Sequence, residues 1–99
     1  GYARALNSIG EYKSSVNLLK NVYVKDPNNG RLLRELAIAY SQIGETGWAS
    51  LLTAERYALY GKFKDAMHHA KRTLGTSSPG SIEWLKAEDL ILDIKNMGK

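Results

Sequence analysis

The sequence predicts an all-α chain of about six antiparallel helices, and three observations predict it. Apolar residues recur at three- and four-residue spacing: Leu33, Leu36, Ala37, Tyr40 and Ile43 make one stripe, and Phe63, Ala66, Met67, Ala70 and Leu74 another. That spacing puts one apolar face on a helix. No segment of useful length alternates with period two, so no sheet is expected. Finally, Gly10, Gly44 and Gly61 and the runs Asp26–Gly30 and Thr76–Gly80 fall between stripes, where a chain that reverses direction needs them.

Taken in order, the helices are expected at about 2–9, 11–25, 30–43, 46–60, 62–74 and 81–97. Gly10, Gly44 and Gly61 each follow one stripe and precede the next, as left-handed C-caps do. Tyr12, Val16, Leu19 and Val22-Tyr23 give the second helix its face. Asp26-Pro27-Asn28-Asn29-Gly30 is a strong turn: Pro cannot continue a helix interior, and Asn caps the next helix. Trp48, Leu51, Leu52, Ala58 and Leu59 line the fourth helix, and Ile82, Leu85, Leu90, Ile91, Ile94 and Met97 the last. Ser81 is its expected N-cap, with Glu83 in the first turn where the helix dipole favours an anion. Gly47 is read with Gly44 and Gly61 as helix punctuation.

Composition bounds the function. Ninety-nine residues make one modest core and leave little room for separate substrate and cofactor lobes. Fourteen Lys+Arg against ten Asp+Glu give +4. The excess is split evenly between the two halves, so no basic arm or tail marks a nucleic-acid binder. Zero Cys excludes disulfides, thiolate zinc sites and Cys nucleophiles. No uncharged run approaches the ~20 residues of a membrane span. The chain opens Gly1-Tyr2 rather than with Met, and is read as a piece of a longer protein.

A repeat underlies the stripes. Gly10 and Gly44 are 34 residues apart, and Gly10-Glu11-Tyr12, Gly44-Glu45-Thr46 and Gly61-Lys62-Phe63-Lys64-Asp65-Ala66 share a Gly-x-aromatic-x-x-small pattern to different degrees. Gly reverses the chain, the aromatic packs across the hairpin and the small residue admits a close helix. With Lys25-Asp26-Pro27-Asn28-Asn29 closing the first copy, the chain resembles the tetratricopeptide-repeat family. The resemblance implies a helical superhelix: repeat 1 at about 1–29, repeat 2 at about 30–60, and repeat 3 with a capping helix at about 61–97. Gly44 and Gly61 are only 17 residues apart, half a repeat. Two registers follow. Either the hairpins are 2–25, 30–60 and 62–97, or 46–74 is the third hairpin and 81–97 a cap.

The second half adds a narrower resemblance. Ala54–Ala66, His69–Leu74 and Pro79-Gly80-Ser81-Ile82-Glu83-Trp84-Leu85-Lys86-Ala87-Glu88-Asp89-Leu90 are similar to the C-terminal repeat tail of bacterial CAAX-protease-like zinc metallopeptidases. That implies a bacterial envelope or periplasmic protein whose catalytic part lies upstream on a His-Glu-x-x-His helix; the alternative is a cytoplasmic one. The motif is absent from this chain, so no catalytic residue and no cofactor is assigned to it. The tail is expected to bind a protein or peptide partner, the protease domain or its substrates, as a monomer or weak dimer. No nucleic acid is expected.

Candidate sites follow from these readings. His68-His69 is not read as a metal pair, because adjacent helical residues diverge by about 100°. Asp89 and Asp93 share a helix face but read as surface charge. Lys62, Lys64, Lys71 and Arg72 make their helix basic, which suits an anionic partner or a lipid surface, though a solvated face is the preferred reading; Trp48 and Trp84 read as core. In a tetratricopeptide fold the first helix of each repeat lines the concave groove. With Leu33, Leu36 and Tyr40 packed into the hairpin, Arg31, Arg34, Ile38 and Ser41 are left for that groove, and Arg4 and Asn7 hold comparable places on the first helix. Arg4, Asn7 and Arg34 partly resemble a carboxylate clamp, since Arg offers a bidentate fork. The alternative function is therefore a freestanding adaptor that holds a partner's C-terminal carboxylate.

Overall fold

A computed structural model describes residues 2–97; Gly1, which opens the first expected repeat, lies outside the described residues. Six helices follow one another: α1 (Tyr2–Ser8), α2 (Tyr12–Lys25), α3 (Gly30–Gln42), α4 (Thr46–Leu59), α5 (Phe63–Thr76) and α6 (Ile82–Asn96). Each packs on the next, and the molecule is elongated, 44 × 26 × 21 Å. The all-α architecture expected from the apolar spacing is what the chain adopts. Among the described residues no helix is long and apolar enough to cross a membrane.

Three of the five connections are the same turn. Gly10, Gly44 and Gly61 have φ of 84°, 85° and 76°, which a Cβ would resist. Around each, two backbone bonds close the preceding helix. Glu11 N–H reaches Leu6 O at 2.8 Å, Glu45 N–H reaches Tyr40 O at 2.9 Å, and Lys62 N–H reaches Tyr57 O at 2.9 Å; the glycine N–H groups bond Asn7, Ser41 and Ala58 carbonyls. This is the Schellman closure, and it satisfies carbonyls that a helix end leaves orphaned. The other two helix starts are capped by side chains. Asn29 accepts from Leu32 N–H at 3.1 Å, and Ser81 accepts from Trp84 N–H at 3.4 Å.

Two expectations are corrected. The fifth helix does not stop at Leu74 but runs through Thr76 and gives way at Ser77, whose backbone is extended; Pro79 disfavours helix at the residue before it. Gly47 does not punctuate. It is the second residue of α4, buried, and a Cβ there would drive into the Ser77 side chain. It serves a close approach between α4 and the α5–α6 loop, which Thr73 Oγ1 also marks by donating to Gly47 O at 3.1 Å.

The apolar faces build two cores. One joins Val16, Leu19, Tyr23, Leu32, Leu33, Leu36 and Leu52 from α2, α3 and α4. The other joins Leu51, Ala54, Ala70, Ala87 and Ile91 from α4, α5 and α6. Adjacent leucines of α4 thus enter different cores, and Trp48, stacked on Tyr40 with ring centroids 5.5 Å apart, touches both. Trp84 is only half-buried.

Contacts between helices two apart change parity along the chain. α1 meets α3 and α4 meets α6, but no Cα of α3 lies within 8 Å of α5, nor any of α2 within 8 Å of α4 or α6. Helix α4 therefore stands to α6 as α1 stands to α3. The half-length Gly44–Gly61 spacing is where this change occurs, and it leaves α4 with a neighbour on three sides and two open clefts beside it.

Candidate functional site

The first cleft lies between α3 and α5, with α4 as its floor. It opens because α3 and α5 both pack on α4 and stay apart from each other. Two adjoining recesses, of about 320 and 170 Å³, share Ala37, Ile38 and Thr53. One end is edged by Arg34, Arg56 and Tyr57, the other by Ser41, Gln42, His69 and Arg72. The floor consists of small residues, Ala49, Ser50 and Thr53; the Thr53 hydroxyl is spent on Ala49 O at 2.8 Å. Three arginines and a histidine line the cleft, and among the described residues no carboxylate does.

Each cation has a definite setting. Arg34 Nη1 lies 3.4 Å from Glu35 Oε1, and the Arg34 side chain is 55% exposed. Arg56 lays its guanidinium 5.3 Å from the Tyr60 ring centre, and its buried Nε has no partner. His69 stacks on Tyr57 at 5.4 Å. Burial, then His68 and Arg72, lower the His69 pKa from its ordinary value, against an opposing pull from Asp65. His68 and His69 meet edge to face at 5.1 Å, and among the described residues no group of three His, Cys, Asp or Glu is placed to hold a metal.

The second cleft, of about 460 Å³, lies on the opposite flank of α4, between α2 and α6. Tyr23, Val24, Pro27, Tyr40, Trp48 and Ile82 make it mostly apolar, with Lys20 and Lys86 at its rim. It continues into a recess holding Glu55, whose Oε1 accepts from the Tyr23 hydroxyl at 2.6 Å. Burial raises the Glu55 pKa, with the Tyr23 bond and Lys86 acting against it. The Tyr23 hydroxyl is likewise pushed far above its ordinary value, first by burial and then by the Glu55 charge. Lys86 Nζ lies 5.4 Å from the Tyr23 ring centre.

The six residues that the sequence suggests for a groove do not share one surface. Arg34, Ile38 and Ser41 line the α3–α5 cleft. Arg4 and Arg31 line a separate recess with Leu19 and Val22 of α2. Asn7 is buried; its Nδ2 donates to Glu35 O at 3.1 Å and to Glu35 Oε2 at 2.8 Å. Asn7 and Arg34 meet on the Glu35 carboxylate, Asn7 Nδ2 at 2.8 Å from Oε2 and Arg34 Nη1 at 3.4 Å from Oε1, and Arg4 lines a recess with that same Glu35. Sequence reasoning missed Arg56, Tyr57, His69 and Arg72 as cleft residues. The signal was the half-repeat at Gly44–Gly61, which makes α4 a floor rather than an ordinary second helix.

No family model, curated protein or solved structure matches this chain.

Proposed function

We propose that the chain is a tetratricopeptide-like protein-binding module that takes an extended partner segment in the α3–α5 cleft. The observation that carries this is the cleft itself: two helices held apart over a floor of small residues, with Ile38 in the middle and cations at both ends. Three repeats of one Schellman turn support a repeat architecture. An elongated stack of helices suits recognition of an extended partner. Affinity comes from apolar contact at Ile38, and orientation from the polar ends.

A random peptide library selected against the chain tests this, with binding mapped by amide chemical shifts. Shifts confined to Ile38, Ser41, Thr53, Tyr57 and Arg72, and binding lost by about tenfold or more in Ile38→Glu, are expected. Selected peptides that move only Val24, Ile82 and Lys86 would assign binding to the other flank and overturn the reading.

The run Pro79–Leu90, which forms the last loop and most of α6, supports the finer proposal. The module is the noncatalytic C-terminal part of a bacterial envelope zinc metallopeptidase, and its partner is that protease domain or its substrates. Reading the gene upstream of Gly1 tests this directly. A His-Glu-x-x-His motif within a few hundred residues is expected, and its absence would leave a freestanding adaptor.

A further inference from the structure

We infer that the α3–α5 cleft selects an acidic segment, an extended stretch of partner chain with two side-chain carboxylates about three residues apart. The inference rests on the peptide-binding reading of that cleft and adds the chemistry of what binds.

Charge is the first argument. The cleft presents Arg34, Arg56 and Arg72 and, among the described residues, no carboxylate. Two acids on its flanking helices, Glu35 and Asp65, do not line it. Glu35 is buried and accepts from Asn7 at 2.8 Å, touching Arg34 through one 3.4 Å contact. Asp65 acts on His69 from its own helix but lines neither recess. A guanidinium has five N–H donors, so one long contact at Arg34 leaves most of its donors for a ligand. Buried Arg56 Nε lacks an acceptor altogether. A segment carrying carboxylates supplies what these groups lack, and Arg meets a carboxylate with two parallel bonds.

Spacing is the second argument. The cations are not clustered. Arg34 and Arg56 edge one recess and Arg72 the other, with Ala37, Ile38 and Thr53 shared between them. Along α3, Arg34 to Ser41 spans about 10 Å at 1.5 Å per residue. An extended chain advances about 3.3 Å per residue, so carboxylates at positions i and i+3 reach the two ends. The residues between them then lie over Ile38 and the small-residue floor, where apolar side chains fit. A single C-terminal carboxylate satisfies only one end, so side-chain carboxylates are the source assigned here.

The test uses an amidated, fluorescently labelled peptide bearing one Asp-Leu-Ala-Asp block in Gly/Ser flanks. Its Asn-Leu-Ala-Asn analogue, and a version with the two Asp adjacent, are compared with it. Saturable binding is expected, with shifts at Ile38, Thr53 and Arg72. Affinity should fall about tenfold or more for the Asn analogue and several-fold for adjacent Asp. Arg34→Ala and Arg72→Ala should each cost about three- to tenfold and their combination more, while Lys13→Ala leaves binding unchanged.

Equal affinity of the Asp and Asn peptides at these residues would overturn the acidic preference and leave the cleft reading intact. No binding of any of the three up to about 1 mM would overturn the acidic preference as well, with the library selection then deciding the cleft. Shifts centred on Lys62, Lys64 and Lys71 instead, or equal competition by a single-stranded oligonucleotide of matched charge, would show general polyanion attraction and overturn it too.

Discussion

The Asn7 carboxamide holds a carboxylate that has little other support. Glu35 is buried on α3, and two of its oxygens, one from the backbone and one from the side chain, accept from Asn7 Nδ2. Asn7→Ala removes both bonds and leaves a buried charge with only the long Arg34 contact. It is expected to cost about 2–3 kcal/mol, read as a lower urea midpoint with unchanged slope, and Asn7→Ala with Glu35→Leu should recover part of the loss. Glu55 is a separate case. Burial raises its folded pKa above the unfolded value, so the folded state holds the proton more tightly. Stability from this group is full below the unfolded pKa and is lost as pH rises through the folded one. At neutral pH the ionised carboxylate is therefore a liability, even though Tyr23 donates to it at 2.6 Å. Glu55→Gln keeps an acceptor for Tyr23 and removes the charge. Its melting temperature should exceed the parent's at pH 7.5, and the difference should vanish near pH 4; a constant difference at both would refute this account. Neither pair was legible in the sequence. Asn7 and Glu35 are 28 residues apart and Tyr23 and Glu55 are 32, and nothing in local spacing links them.

Among the elements, the helix–helix joints divide into two kinds. The Schellman turns at Gly10, Gly44 and Gly61 follow from backbone sterics alone, because only glycine enters the left-handed region cheaply. They were readable for that reason, as were the Asn29 and Ser81 caps. The α4–α5–α6 joint is of the other kind. Gly47 has ordinary helical surroundings along the chain, yet a Cβ there meets Ser77, whose buried Oγ has no partner. Gly47→Ala gains helix propensity, worth up to about 1 kcal/mol, and loses it to the clash. Combined with Ser77→Ala, which removes the offending hydroxyl, the same change should be stabilising. A double-mutant cycle by thermal unfolding is expected to show coupling of about 1–2 kcal/mol; additive effects would mean that Ser77 simply turns away. Gly30 is the contrast. A Cβ there meets the Tyr60 ring, but Tyr60 is 56% exposed and can swing aside, so Gly30→Ala should be near neutral.

Across the whole molecule, α4 decides cooperativity. The two cores share no other helix, since α2 and α3 feed one and α5 and α6 the other. Trp48 is the side chain that touches both. In a stack of this kind, stability is a sum of local terms and nearest-neighbour coupling. Trp48→Ala should cost about 3 kcal/mol and should also broaden the denaturant transition, with exchange protection in α5 and α6 outlasting that in α2 or the reverse. A sharp two-state transition with equal protection in both halves would show that Leu51 and Leu52 suffice to couple the cores.

Periodicity, glycine position and cap residues determined by themselves that this chain makes six helices and where each begins and ends within one or two residues. Those properties depend on neighbours within a turn or two, which a sequence displays. Tertiary packing alone decided which faces stay open. The packing of α1 and α2 on α3 sent Arg4 and Arg31 to one recess and buried Asn7. The change of parity at α4, where α1–α3 contact gives way to α4–α6, left a cleft with Arg34 and Arg56 at one end and His69 and Arg72 at the other. A helix offers every residue to some direction at once, and only the neighbours it packs against determine which directions face solvent.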